Sequence, residues 1–153
     1  MDHELDILIR QLGPAGQFSF VKALRQPSTW QVGIGPVTVE LAADWPRGVL
    51  VLTAGLGSPA ATRDMDGLHA VFLDYAALWE STDGARIGRG ASECGLVLLQ
   101  DVGLPGADPA ELVEVLREFA KKCEAWRLIV AGAGQHGEGE DAANALSDVA
   151  GYA

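Results

Sequence analysis

The stretch TWQVGIGPVTVELAADWPRGVLVLTA, residues 29–54, decides the fold. From Thr29 the apolar residues recur at every second position, and this alternation is clearest in residues 37–41, which is typical of a half-buried strand. Residues 49–54 are apolar on both faces, as in a central strand. Turn residues rich in glycine and proline separate the segments. Because such short connections join antiparallel strands, the sequence predicts a three-stranded meander.

Hydrophobic periodicity predicts three helices around these strands. Their bounds are residues 2–12, 62–80 and 108–129. The pair Gly13-Pro14 is expected to end the first helix. Asp108 followed by Pro109 indicates the start of the third, because the carboxylate accepts first-turn amide bonds and proline suits the first helical position. Residues 13–28 fit either a short second helix or an irregular linker.

Two further strands are expected in ARIGRGAS (residues 85–92) and GLVLLQDV (residues 95–102). The predicted order is therefore α-β-β-β-α-β-β-α. Strands lie beside strands rather than alternating with helices, so we expect an α+β fold with helices packed on a mainly antiparallel five-stranded sheet. Residues 1–130 are predicted to form one domain, and residues 131–153 a flexible, acidic tail rich in glycine and alanine.

The chain is acidic, and this restricts its partners. It has 21 Asp and Glu residues against 11 Lys and Arg, a formal net charge of -10. That sign disfavours nucleic acid and anionic membranes, and it suits a cationic or neutral polypeptide. The opening MDHELDILIRQLG carries acidic residues where a signal peptide carries basic ones, and no stretch is long and apolar enough to span a membrane. The sequence predicts a cytoplasmic protein.

The residue pattern favours a protein without catalysis or cofactor. A G-x-G-x-x-G spacing at Gly132, Gly134 and Gly137 follows a predicted helix rather than a strand, and only 16 residues come after it. A dinucleotide-binding loop instead follows a strand and begins a helix, and it needs enough chain after it for a second strand and an acidic residue that binds the ribose. Ser92 and Cys94 have no base nearby in the sequence, so a tight turn with a small buried thiol is favoured. An enzyme that uses either residue is the competing interpretation.

No metal site is predicted. The three histidines, His3, His69 and His136, lie on different elements and form no pair at the helical spacing that metal ligands use. We therefore expect no bound metal ion, and the failed dinucleotide motif leaves no cofactor expected either.

The middle helix has more apolar surface than a monomer needs. One face of this helix carries Leu68, Val71, Phe72, Tyr75 and Trp79. Four further residues extend the apolar surface well beyond that face: Met65, Leu73, Ala76 and Ala77. A helix on the surface of a monomer requires an apolar arc of only about 100°. We therefore expect one face to cover the sheet and another to meet a partner subunit.

Four segments together resemble one known family. They are GVLVLTAGLGSP (48–59), LHAVFLDYAALW (68–79), CGLVLLQDVGLPG (94–106) and DPAELVEVLREFAKKCEAW (108–126). In content and order they are similar to the Tir chaperone (CesT-like) family, the class I chaperones of bacterial type III secretion. The resemblance covers roughly residues 37–130.

The resemblance implies a homodimer. In this family the middle helix and the strand after it form the two-fold interface. A self-complementary apolar patch suits such an interface. Carried onto this chain, the interface residues would be Leu68, Val71, Phe72, Tyr75, Trp79 and Ile87.

The resemblance also implies a function. The dimer would bind the N-terminal segment of one or more secreted effectors, keep it non-globular and deliver it for export, with the secretion ATPase as a further partner. Apolar docking and strand addition at a sheet edge would hold the segment. The candidate contacts are Leu5, Leu8, Ile9, Trp30, Val32, Ile34 and Val39. Two alternatives stay open: that part of this set is core, and that the chain is a non-catalytic regulatory dimer sequestering a regulator of secretion.

Overall fold

A computed structural model describes residues 2–60, 64–91, 95–104 and 108–132. Three helices and six strands form an α+β fold, as the sequence predicts. In chain order they are α1 (Asp2–Gly16), β1 (Phe20–Ala23), β2 (Thr29–Ile34), β3 (Val37–Asp44), β4 (Val49–Gly57), α2 (Met65–Ala77), β5 (Arg86–Arg89), β6 (Leu96–Gly103) and α3 (Pro109–Ala131).

The sheet has six strands, not the five expected, in the order β1-β2-β3-β4-β6-β5. The predicted meander of β2, β3 and β4 is confirmed, with antiparallel pairs such as Val32 opposite Val39 and Leu41 opposite Leu52. The additional strand is β1, which pairs antiparallel with β2. β1 lies within residues 13–28, for which the sequence predicted either a short helix or an irregular linker. Both alternatives are wrong for residues 20–23.

The first helix is also longer than expected. It continues through Pro14 to Gly16, although a proline at position 14 has no N–H to donate to the Arg10 carbonyl. The next residue, Gln17, has a left-handed φ of 54°. The Phe18 amide then donates a 3.2 Å hydrogen bond to the Gly13 carbonyl, which satisfies one of the carbonyls that every helix end leaves open.

The chain forms two compact units. The first unit comprises Met1–Ala54 and Asp101–Ala120, and the second comprises Gly55–Gln100 and the chain from Lys121 onward. Each unit has a buried apolar core. The predicted domain boundary at residue 130 stays a prediction, and residues 133–153 of the predicted tail lie outside the described residues.

In the first unit, α1 lies against the meander. Ile9 and Leu12 of α1 are fully buried, as are Val32 and Leu41 of the sheet. The start of α3 belongs to the same unit, and the predicted cap is confirmed there, since a carboxylate oxygen of Asp108 accepts a 2.8 Å bond from the Ala110 amide.

In the second unit, the core centres on Trp126 of α3. Its indole is fully buried and meets Tyr75 and Phe72 of α2 edge to face, with ring centroids 4.8 and 5.7 Å away. The buried Lys122 ammonium donates to the Thr82 carbonyl at 3.2 Å and to the Asp83 carboxylate at 3.0 Å. A buried cation requires such partners, so Lys122 ties the turn after α2 to α3.

One contact in the first unit makes stability depend on pH. The Trp30 indole N–H donates a 2.8 Å bond to Asp6, and the Arg10 side chain donates a second bond of 2.8 Å to it. Hydrogen bonding from Trp30 first, and from Arg10 second, lowers the pKa of Asp6 below its ordinary value of 3.8. A lowered pKa in the folded state stabilises the fold above the ordinary value, and this stabilisation is lost as the pH falls through the lowered value.

We therefore expect Asp6→Asn to lower the free energy of unfolding at about pH 7, and expect the difference from the parent to shrink toward about pH 3. Denaturant unfolding at both pH values measures this. Glu4→Gln, an exposed position on the same helix, is the control. A difference that stayed constant between the two pH values would contradict the assigned role of Asp6.

Candidate protein-binding surfaces

The first candidate surface is the open edge of β1, which among the described strands has a neighbour on one side only. The Leu24 amide donates a 2.9 Å bond to the Thr29 carbonyl. Because hydrogen-bonded and non-bonded pairs alternate in an antiparallel ladder, the backbone groups of Val21 and Ala23 point away from β2. In the described part of the chain they make no backbone hydrogen bond outside the strand ladder. This edge therefore offers donors and acceptors to another strand.

An exposed aromatic ring lies beside this edge. Phe20 is 41% exposed and lies opposite Gly33 of β2. A Cβ atom at position 33 would be only 2.5 Å from the Phe20 ring, so glycine is what leaves room for the ring to lie over the neighbouring strand. On the other face, Val21 approaches Gly13 of α1, 3.5 Å from where a Cβ would be. The open edge is thus supported by α1 and bordered by an apolar ring.

The predicted effector contacts lie beneath this edge rather than on the surface. Within the chain, Ile34 is half-buried, and the other six side chains are buried: Leu5, Leu8, Ile9, Trp30, Val32 and Val39. The register places Val32 opposite Val21 and Trp30 opposite Ala23. A side chain without exposed surface cannot touch a bound segment where it stands, so direct contact by these residues stays a prediction. In the single chain the six buried side chains belong to the core, which agrees with the alternative that part of this set is core.

The second candidate surface is on α2. Of the predicted interface residues, Leu68 and Tyr75 are buried within the chain, Val71, Phe72 and Ile87 are half-buried, and Trp79 is 62% exposed. Leu73, which was predicted only as part of the surplus apolar surface, is 72% exposed. Met65 and Leu78 are exposed as well. We call Met65, Leu73, Leu78 and Trp79 the α2 patch. Leu78 and Trp79 follow directly after the helix, and a protein contact would remove these exposed apolar side chains from water.

The remaining sequence candidates give no site among the described residues. Ser92, Cys94 and the glycines at 134 and 137 lie outside them. Cys123 is a buried thiol, and burial raises its pKa, which opposes the reactive thiolate form. The described residues contain no group of three or more potential metal ligands. In the same part of the chain, no helix is long and apolar enough to cross a membrane.

Three helices and a mainly antiparallel sheet, with an edge strand at β1 and an exposed apolar face on α2, define an α+β fold in the described part of the chain. Solved structures share this fold. A chain in the structure of the HopA1-SchA chaperone-effector complex is similar with a TM-score of 0.61 and 15% sequence identity, over 82% of this chain and 94% of that chain. A chain in the ExsC-ExsE complex is similar with a TM-score of 0.68 and 13% identity, over 86% and 96%.

No protein-family model and no curated protein sequence matches the chain. Because the identities are only 13% and 15%, the similarity to these structures shows a shared fold. The resemblance inferred from the sequence is confirmed as a resemblance of fold. The chain shares its fold with a chain solved in a chaperone-effector complex.

Proposed function

We propose that the chain is a non-catalytic type III secretion chaperone. It acts in the cytoplasm as a homodimer, binds the N-terminal segment of one or more effectors, keeps that segment non-globular and delivers it to the export machinery, including the secretion ATPase. The observation that carries the proposal is the fold, which recurs in a chaperone-effector complex over most of both chains.

The open β1 edge supplies a physical means of binding. An extended segment adds to a sheet edge through backbone hydrogen bonds, which tolerate many sequences, and an apolar side chain beside the edge adds selectivity. Val21 and Ala23 provide the backbone groups, and Phe20 provides the apolar contact. The buried residues first predicted as contacts, such as Trp30 and Val32, would then support the edge from below.

The α2 patch supports the homodimer. Leu73 and Trp79 expose apolar surface that costs free energy in water. Two copies related by a two-fold axis would bury the same patch on both sides. In this arrangement the half-buried Phe72, Val71 and Ile87 join the interface, whereas Leu68 and Tyr75 hold α2 in place from within the chain.

The proposal is tested by affinity purification of the tagged chain from secretion-competent cells, with bound proteins identified by mass spectrometry and complex masses measured by light scattering. The expected result is a complex of two copies with one secreted protein, bound through its N-terminal segment. Capture of a regulator of secretion and no secreted protein would instead indicate the regulatory dimer. A dimer that captures neither would contradict the proposal.

Ala23→Pro is the matched variant for this purification. In the parent chain the Ala23 N–H points to the open edge. Proline at position 23 therefore removes a donor to an incoming strand but no hydrogen bond to β2. Lys22→Pro is the control, because Lys22 lies opposite Gln31 in a bonded pair and proline there disrupts β1 itself. We expect Ala23→Pro to fold as the parent does and to lose most of the captured protein.

A further inference from the structure

The charge of the chain is distributed unevenly around the β1 edge. From Ile7 to Val39 the sequence contains no Asp or Glu, although it contains Arg10, Lys22 and Arg25. The whole chain has a formal net charge of -10. The end of α1, all of β1 and β2, and the turn between the two strands thus form a locally basic region of an acidic protein.

Among the described residues, two of these three cations have no acidic partner. Arg10 pairs with Asp6 at 2.8 Å. Lys22 and Arg25 are exposed, and neither forms an ion pair in the described part of the chain. Lys22 is two residues from Phe20 on the same strand, so both side chains are on the same face of the sheet. Arg25 follows in the turn that leads to β2.

We propose that the segment bound at the β1 edge is an acidic strand: apolar at alternate positions, with one or more Asp or Glu residues that pair with Lys22 and Arg25. This inference rests on the proposed function and adds the charge of the cargo. A net charge of -10 alone would favour a cationic segment. However, salt screens exposed charges beyond about 8 Å at physiological ionic strength, so the nearest charges dominate at the contact.

Binding of synthetic peptides to the full chain tests the inference. Three peptides of about ten residues, the upper end of ordinary strand lengths, share valine at alternate positions and differ in the residues between, which are glutamate, glutamine or lysine. Each exposed ion pair contributes modestly, so we expect the glutamate peptide to bind about three- to tenfold more tightly than the glutamine peptide, and the lysine peptide to bind least. About 0.5 M salt should remove the difference.

The double variant Lys22→Gln/Arg25→Gln should bind the glutamate and glutamine peptides equally. Its control is Arg89→Gln/Lys121→Gln, which changes the net charge of the protein by the same amount at exposed positions elsewhere and should retain the preference. Equal binding of all three peptides by the parent, tightest binding of the lysine peptide, or no binding of any peptide would each overturn the inference.

The purification of natural partners separates this inference from the proposed function. A captured effector segment whose binding is unchanged in Lys22→Gln/Arg25→Gln would leave the chaperone function standing and overturn the charge preference. If no secreted protein is captured but the glutamate peptide binds preferentially at β1, the edge preference stands and the secretion function fails.

Discussion

Trp126→Ala is expected to lower the free energy of unfolding by about 3–5 kcal/mol, the usual cost of removing a fully buried tryptophan. The indole has no exposed surface and contacts the rings of Tyr75 and Phe72 edge to face. Alanine would remove both contacts and leave a cavity in the second unit. Since domains of this size are stable by only about 5–15 kcal/mol, a large fraction of the stability would be lost.

Denaturant unfolding measures this effect, and Leu128→Ala is the control. Leu128 is two residues further along α3 but is 61% exposed, so its truncation should cost less than about 1 kcal/mol. If Trp126→Ala also cost less than about 1 kcal/mol, Trp126 would not be the centre of this core.

Leu73→Asp is expected to dissociate the homodimer. The side chain is the most exposed large apolar group on α2, and a two-fold interface through the α2 patch would bury a carboxylate on each side of the axis. An unpaired buried charge costs several kcal/mol, so we expect the dimer dissociation constant to rise by at least about 100-fold. Light scattering across a dilution series measures the change.

The control introduces the same charge away from the patch. Gln11 is exposed on α1, and Gln11→Asp should leave the dissociation constant unchanged while the fold of both variants, checked by circular dichroism, stays intact. A Leu73→Asp protein that dimerises as tightly as the parent would place the interface elsewhere. A parent chain that is monomeric at all concentrations would contradict the homodimer.

The strands that the sequence predicted best are those with the strongest local signals. The segment 29–34 matches β2, and residues 37–41 and 49–54 mark β3 and β4, which run a few residues further. β1 was missed because its four residues, FVKA, include an exposed lysine and show no clear alternation. Its pairing with β2 decides its conformation, and pairing between strands is not visible in a window of four residues.

Site residues were harder to predict than the fold, for a physical reason. Periodicity identifies an apolar face but does not say whether the chain itself or a partner covers it. Ile9 and Val39 were expected to meet a bound segment and are fully buried in the chain, whereas Leu73 and Phe20, which were not among the predicted contacts, are exposed. The surplus apolar surface predicted for α2 is present, since Trp79 and Leu73 are exposed in the single chain, and its cover by a partner subunit stays a prediction.

The most direct test of the central claim, that an extended segment adds to the open β1 edge, is amide hydrogen exchange of the chain with and without its captured segment. We expect the Val21 and Ala23 amides, which point away from β2, to become at least about tenfold more protected on binding, because hydrogen-bonded amides exchange only when the strand opens. A bound segment that leaves the exchange of both amides unchanged would contradict strand addition at β1.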